Sequence, residues 1–169
     1  RDASEFRNGF IPGSWNIGLN GSFAVWVGTL IKDIKQPILL VAKEGTEKEA
    51  VTRLARVGYD GCLGYLDGGY KAWSKAGLEI DRIPYVTAAE LATIKEKRDV
   101  NILDVRKKSE FDSEHVVTAI NAPLDYLDDS LKMIDRQQTY YVHCAGGYRS
   151  MVFASILKAK GYENLVDVE

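Results

Sequence analysis

The sequence predicts an α/β protein that contains two copies of one small domain, each a mostly parallel sheet flanked by helices. Two observations support this fold class. Short apolar runs rich in branched residues alternate with segments whose apolar residues recur at helical spacing. The chain also matches itself at a long period, which indicates a duplicated domain rather than a solenoid of short repeats. Ligands of such folds bind at the carboxyl ends of the parallel strands.

The elements follow in the same order in both copies. In the first copy the residues from Pro37 to Ala42 predict a strand, and a helical pattern over 50–57 ends at Gly58. The second copy repeats this order: residues 139–143 predict the strand, and Gly161 ends the helix that follows. The apolar stripe of this helix consists of Val152, Phe153, Ile156 and Leu157. Thr87 and Glu90 form a capping box that opens a further helix, and residues 101–105 predict a buried strand.

The repeat sets the expected domain limits. A shift of 105 residues superimposes Arg1, Ser4, Glu5, Phe6, Asn16 and Leu19 on Arg106, Ser109, Glu110, Phe111, Asn121 and Leu124. The copies should span 1–80 and 81–169, joined by a linker over 78–85. The first copy has no counterpart of residues 86–105, and the second has none of the segment around Trp73. We therefore expect each copy to lack one end, which a longer polypeptide or a partner chain would supply.

Composition excludes several classes of function. The net charge of -2 offers no basic face for a phosphate backbone, so nucleic acid is not an expected partner. The longest apolar run, 23–31, falls short of the roughly 20 residues that span a bilayer, so no membrane segment is expected. Two cysteines and two histidines form neither a disulfide framework nor a four-ligand zinc site. We expect a reducing, cytoplasmic compartment and no bound metal.

The chemistry is concentrated in one loop, His143-Cys144-Ala145-Gly146-Gly147-Tyr148-Arg149-Ser150, between a predicted strand and a helix. Glycines allow successive backbone N–H groups to converge on one point, and the helix N-terminus adds partial positive charge. The loop is therefore predicted to cradle an anion. A thiol at its base, with Arg149 at the rim, should be a nucleophilic thiolate near neutral pH.

This loop has the pattern CxxGxR, and the segments DVRxxxEF and AINAPL precede it. Together they resemble the rhodanese family of sulfurtransferases, and the resemblance covers nearly the whole chain twice. It implies that Cys144 takes sulfane sulfur from thiosulfate or a small persulfide and passes it to a thiol or cyanide, without a cofactor. The N–H groups of residues 145–149 would bind the persulfide, Arg149 the anionic donor, and Ser150 would donate a hydrogen bond to the thiolate.

Two other functions compete with this one. The loop also resembles that of protein tyrosine phosphatases, but four residues separate Cys144 from Arg149, where a phosphatase loop has five. The shorter loop favours a single bound sulfur atom over a phosphate. The other alternative is a non-catalytic interaction or regulatory module. Tandem copies like these resemble the regions that follow a metallo-β-lactamase-fold domain in some bacterial persulfide-metabolising proteins.

The first copy lacks the reactive groups. Its residues 41–48 align with the Cys144 loop of the second copy and include neither cysteine nor arginine. It either scaffolds or gates the second copy, or it persists for packing alone. Asp104 and Arg106 end a predicted strand beside the loop, and we expect them to pair and hold it.

The remaining candidates are expected to be structural. His115 should fix its loop by a hydrogen bond, in a segment where Glu114, Val117 and Thr118 replace residues typical of the family. His143 should be hydrogen-bonded and structural. Tyr148, in contrast, is a candidate for substrate binding: it should stand at the mouth of the cradle, where it would either select the donor or merely cover the loop. Core or interface positions are expected for the four residues Cys62, Trp15, Trp26 and Trp73.

Overall fold

The computed structural model describes residues 1–169 and contains eight α-helices and seven strands. The helices are α1 Ala3–Arg7, α2 Phe23–Leu30, α3 Glu47–Ala55, α4 Gly69–Lys75, α5 Ala88–Lys97, α6 Lys108–Ser113, α7 Leu127–Leu131 and α8 Tyr148–Ala159. The strands are β1 Ile38–Leu40, β2 Cys62–Tyr65, β3 Tyr85–Val86, β4 Asn101–Asp104, β5 Ile120–Asn121, β6 Tyr140–His143 and β7 Leu165–Val168. A short 3-10 helix, Leu124–Tyr126, precedes α7.

All strand pairing within the two sheets is parallel, as predicted. The C-terminal sheet has five strands in the order β3-β7-β6-β4-β5, with β6 in the middle. The N-terminal sheet contains only β1 and β2. Residues 1–77, which contain β1 and β2, are called the first unit below, and residues 85–169, which contain the five-stranded sheet, are called the second unit. No helix is both long and apolar enough to cross a lipid bilayer.

Local sequence signals explain several element limits. The capping box of α5 forms as predicted: the Glu90 N–H donates to Thr87 Oγ1 (3.2 Å), and the Thr87 N–H donates to Glu90 Oε2 (2.7 Å). Gly58 and Gly161 follow α3 and α8 with φ of +85° and +83°, which glycine adopts without a steric penalty. Thr118, where the family would have glycine, is the one non-glycine residue with positive φ (+76°).

Helix α8 is buried on all sides, which differs from the predicted single stripe. Its fully buried residues include Met151, Ala154 and Ser155, in addition to the predicted apolar positions. The second sheet covers one side of α8, and the first unit covers the other. Phe6 and Trp26 of the first unit belong to the same hydrophobic cluster as α8. A helix that is buried on every side needs a neighbour on each of them, and here the first unit supplies the second one.

Polar contacts also join the units. The Asn16 N–H of the first unit donates to Ser155 Oγ of the second (2.8 Å), and Lys158 of the second unit pairs with Asp81 of the linker (3.0 Å). The predicted linker is therefore packed rather than free, and its Ile83 is buried. Among the tryptophans, Trp26 is buried at the interface as expected. The prediction for Trp15 is wrong, because this residue lies at the surface with an exposed fraction of 40%. Trp73 is half-buried.

Candidate active site

Cys144 directly follows the central strand β6, at the carboxyl edge of the five-stranded sheet. Three residues separate it from α8, which begins at Tyr148. Gly147, the residue before the helix, has a φ of +75°. A side chain there would be strained, so the glycine allows the chain to turn from strand to helix within this short distance. The thiol is half-buried and forms no disulfide.

The loop after Cys144 contains backbone N–H groups that no acceptor within the protein occupies. The Ser150 N–H lies 3.4 Å from Cys144 Sγ, and this is the contact that satisfies it. The N–H groups of the five preceding residues, 145–149, donate to no acceptor within the protein. They precede or open the twelve-residue helix α8, whose N-terminus carries partial positive charge. The arrangement can bind an anion or a negatively charged sulfur atom beside Cys144.

Arg149 is held at the rim by a carboxylate from α6. Its Nη1 and Nη2 donate to Glu110 Oε2 (2.6 Å) and Oε1 (2.9 Å). These hydrogen bonds lower the pKa of Glu110 to about 2 and raise that of Arg149. Sequence reasoning assigned no role to Glu110, although it stands in the DVRxxxEF segment. The pair fixes the orientation of the guanidinium near the thiol.

Asp104 and Arg106 form the pair that was expected. Arg106 Nε lies 2.9 Å from Asp104 Oδ1, and Arg106 Nη2 lies 2.6 Å from Oδ2. The same Nη2 donates to the Glu114 carbonyl (2.7 Å), so the pair ties the end of β4 to the end of α6. Burial alone would raise the pKa of the fully buried Asp104, but the hydrogen bonds from Arg106 outweigh it and lower that pKa.

The two histidines differ in their contacts. His115 Nδ1 lies 2.8 Å from the Phe111 carbonyl, and its ring stacks on Phe111 at a centroid distance of 3.9 Å, which holds the end of α6. His143 Nε2 makes no hydrogen bond and lies 3.6 Å from Asp104 Oδ2. The expectation of a hydrogen-bonded His143 is therefore not met at this nitrogen. Burial lowers the pKa of His143, which favours the neutral imidazole.

Tyr148 connects the loop to the first unit. Its hydroxyl donates to the Gly18 carbonyl (2.7 Å), and its ring packs against Gly21. Burial raises the pKa of Tyr148 to about 12. The side chain therefore lies at the boundary between the two units, where the first unit holds it.

Cys62 lies on β2 of the first unit, separate from the loop. It is half-buried against the smaller core around Leu54, with Sγ 3.7 Å from the Gly64 carbonyl. The expected core position is thus only partly reached. A cavity of about 1090 Å³ is lined mostly by apolar residues of the first unit and does not include Cys144.

The fold and the site define a class of protein: a parallel α/β domain with a thiol in an amide-lined loop between the central strand and a helix. Its sequence matches the model of the rhodanese-like domain over residues 1–76 and again over 87–169. The chain belongs to the rhodanese family.

Three relatives illustrate the similarity. A tRNA sulfurtransferase of Thermoplasma acidophilum is 34% identical over 64 residues, which are 38% of this chain and 13% of that protein. A thiosulfate sulfurtransferase of Coxiella burnetii is 27% identical over 84 residues, 50% of this chain and 76% of that protein. The crystal structure of a rhodanese-like domain protein from Staphylococcus aureus is 33% identical, with 52% of this chain and 85% of that chain covered and a TM-score of 0.48.

Proposed function

We propose that the protein is a sulfurtransferase that carries sulfane sulfur on Cys144. The donor would be thiosulfate or a low-molecular-weight persulfide, and the acceptor a thiol or cyanide. The observation that carries this proposal is the group of N–H donors at residues 145–149, which have no acceptor in the protein and lie beside a half-buried thiol. Relatives named sulfurtransferases add support.

In the first step the Cys144 thiolate attacks the outer sulfur of thiosulfate. A bond forms between the two sulfurs, the S–S bond of thiosulfate breaks, and sulfite leaves with the electron pair. The outer sulfur remains on Cys144 as a persulfide anion. The free N–H groups of the loop would donate hydrogen bonds to this anion, and the Arg149 guanidinium beside Glu110 would attract the anionic donor.

In the second step the acceptor attacks the outer sulfur of the persulfide. The S–S bond to Cys144 breaks, and Cys144 returns to the thiolate. A thiol acceptor becomes a persulfide, and cyanide becomes thiocyanate. Electrons balance over the two displacements. Because both cysteines are free thiols, a reducing cytoplasm is the compartment that we propose.

The test is a pair of cysteine substitutions. Cys144→Ser should reduce formation of thiocyanate from thiosulfate and cyanide by roughly a thousandfold or more, because the hydroxyl is a far weaker nucleophile. Cys62→Ser is the matched control, since this thiol lies on β2 outside the loop, and it should retain turnover. Turnover that survives in Cys144→Ser, or vanishes in Cys62→Ser, contradicts the proposal.

A further inference from the structure

A buried chain of polar side chains runs from the first unit to the thiol. Arg7 Nη1 of α1 lies 3.3 Å from Asp167 Oδ2 on β7. The other carboxylate oxygen of Asp167, Oδ1, lies 2.9 Å from Ser150 Oγ. Ser150 Oγ in turn lies 3.7 Å from Cys144 Sγ. The exposed fractions of Asp167 and Ser150 are 1% and 0%, so bulk solvent does not reach these two side chains.

We propose that Asp167 is a positioning residue that receives the proton of the Cys144 thiol through the Ser150 hydroxyl, and that Arg7 of the first unit holds Asp167 in the ionised state that this requires. The inference rests on Cys144 acting as a nucleophile, as proposed above. It gives the first unit a part in the chemistry although that unit has no reactive cysteine of its own in the corresponding loop.

The single hydroxyl hydrogen of Ser150 determines in which direction the hydrogen bonds between Cys144 and Asp167 are donated. A serine hydroxyl has one hydrogen, and here its acceptors are Asp167 Oδ1 at 2.9 Å, the Gly147 carbonyl at 3.2 Å and the sulfur at 3.7 Å. The charged carboxylate at the shortest distance is the strongest acceptor. With its hydrogen directed to Asp167, Ser150 presents a lone pair to the thiol, so the S–H of Cys144 donates to Ser150.

Proton transfer along this chain is balanced. The thiol proton moves from Cys144 Sγ to Ser150 Oγ, and the hydroxyl proton of Ser150 moves to Asp167 Oδ1. The products are a thiolate that accepts a hydrogen bond from Ser150 and a neutral carboxylic acid at Asp167. Negative charge thereby moves from a buried carboxylate to a sulfur that the Ser150 N–H also contacts.

The environment of Asp167 agrees with this role. Burial raises the pKa of Asp167, although hydrogen bonds from Ser150 and Arg7 act in the opposite direction. The charged and titratable groups around it are Arg7 from α1, Glu169 at the end of β7, and Tyr85 of β3, whose ring centre lies 3.9 Å from the Arg7 guanidinium carbon. Strand β6 places the apolar Val142 beside it. A carboxylate that is buried with a single cationic partner is a ready proton acceptor.

The test is the pH dependence of the rate at which iodoacetamide alkylates Cys144, measured in a Cys62→Ser background. With the chain intact, part of Cys144 remains a thiolate, paired with protonated Asp167, at pH values below the pKa of the thiol. The alkylation rate should therefore become independent of pH in this range and form a plateau. In Asp167→Asn and in Ser150→Ala the rate should fall about tenfold per pH unit without a plateau. Simple removal of a neighbouring negative charge would instead favour the thiolate at every pH.

Further variants test the other parts of the chain. Ser155→Ala removes another buried hydroxyl of α8 that does not contact the thiol, and it should keep the plateau. Arg7→Met should move the acid limit of the plateau to higher pH, because burial then holds a proton on Asp167, and Arg7→Lys should restore it. If Asp167→Asn does not fold, Ser150→Ala decides, since it leaves the contact between Arg7 and Asp167 intact.

Sulfur loading separates the two proposals. The same variants are incubated with thiosulfate at about pH 9, where a thiol ionises without an internal acceptor. If Cys144 loads sulfur but the alkylation profiles of the parent and of Ser150→Ala coincide, the proton acceptor is refuted and the sulfurtransferase proposal stands. A plateau that depends on Ser150, in a protein whose Cys144 never loads sulfur, supports the acceptor and refutes the transfer.

Discussion

Around Cys144 the charged residues occur in pairs, and each pair consists of an arginine and a carboxylate. Arg149 pairs with Glu110, Arg106 with Asp104, and Arg7 with Asp167. Pairing neutralises carboxylates that would otherwise repel an anionic sulfur donor, and it leaves the backbone N–H groups as the donors beside the thiol.

Glu110→Gln tests the first of these pairs. Arg149 lowers the pKa of Glu110 from 4.5 to about 2, so the ionised pair stabilises the fold above pH 4.5, and this contribution is lost as the pH falls toward 2. The glutamine variant should lack this part of the acid sensitivity. Because Glu110 is partly exposed, solvent screening limits the effect to about 1 kcal/mol or less.

The measurement is the melting temperature between pH 5 and pH 3 for the wild type and for Glu110→Gln. Asp112→Asn removes an exposed carboxylate of the same helix, which pairs only with Lys108, and it should keep the wild-type slope. A Glu110→Gln protein with the full wild-type slope would show that the pair with Arg149 does not contribute.

At the scale of single residues, the sequence could identify groups that are close along the chain. The residues of the loop around Cys144, and the pair of Asp104 and Arg106, lie within a few residues of one another in the sequence. Motifs and the position of the strand end therefore predict them. The roles of Glu110 and Asp167 could not be predicted, because these carboxylates are 39 and 160 residues away in the sequence from the arginines with which they pair. Only the packing of the helices and of the first unit brings them together.

Helix α8 connects the site with the rest of the molecule. Its N-terminus faces the thiol, its body is fully buried, and Tyr148 in its first turn contacts the loop around Gly18 and Gly21 of the first unit. The apolar pattern of residues 152–157 predicted one buried face. The second buried face could not be predicted, since Met151, Ala154 and Ser155 carry no signal that another unit covers them.

Gly21→Ala tests the contact between the first unit and α8. A methyl group at this position would overlap the Tyr148 ring, whose hydroxyl is held by Gly18. We expect a loss of roughly 1 to 3 kcal/mol in the free energy of unfolding, from overpacking at a tight contact. Urea denaturation followed by circular dichroism measures it.

Gly28→Ala is the matched control. Gly28 lies within α2, is exposed, and has no atom within 4 Å of an added methyl group. Alanine favours a helix over glycine, so this variant should be more stable by about 0.5 to 1 kcal/mol. A Gly21→Ala protein as stable as the wild type would show that Tyr148 moves aside freely and that the contact is loose.

As a whole molecule, the chain is two units that share one large core. That core contains 21 buried residues, among them Phe6 and Trp26 from the first unit and Phe153 from α8. The duplication and the order of the elements were visible in the sequence, because both follow from periodicity. The shared core was not visible, since apolar patterns indicate that a residue is buried and not which element covers it.

A shared core predicts that the two units unfold together. All three tryptophans, Trp15, Trp26 and Trp73, lie in the first unit, so their fluorescence reports on that unit and, through Trp26, on its contact with α8. Pulsed hydrogen exchange of the peptides of β4 and β6, measured over the same urea series, reports on the second unit. The two urea transitions should coincide, because neither unit buries its apolar face without the other. Separate midpoints would show that the units are independent domains.

The most direct test of the central claim is the mass of the protein after incubation with thiosulfate, mapped to its peptides. Because the loop after β6 presents free N–H groups beside the Cys144 thiol, we predict the gain of one sulfur atom on the peptide that contains Cys144, and its loss on addition of cyanide. An unmodified protein, or a sulfur atom found on the peptide of Cys62, would contradict the account.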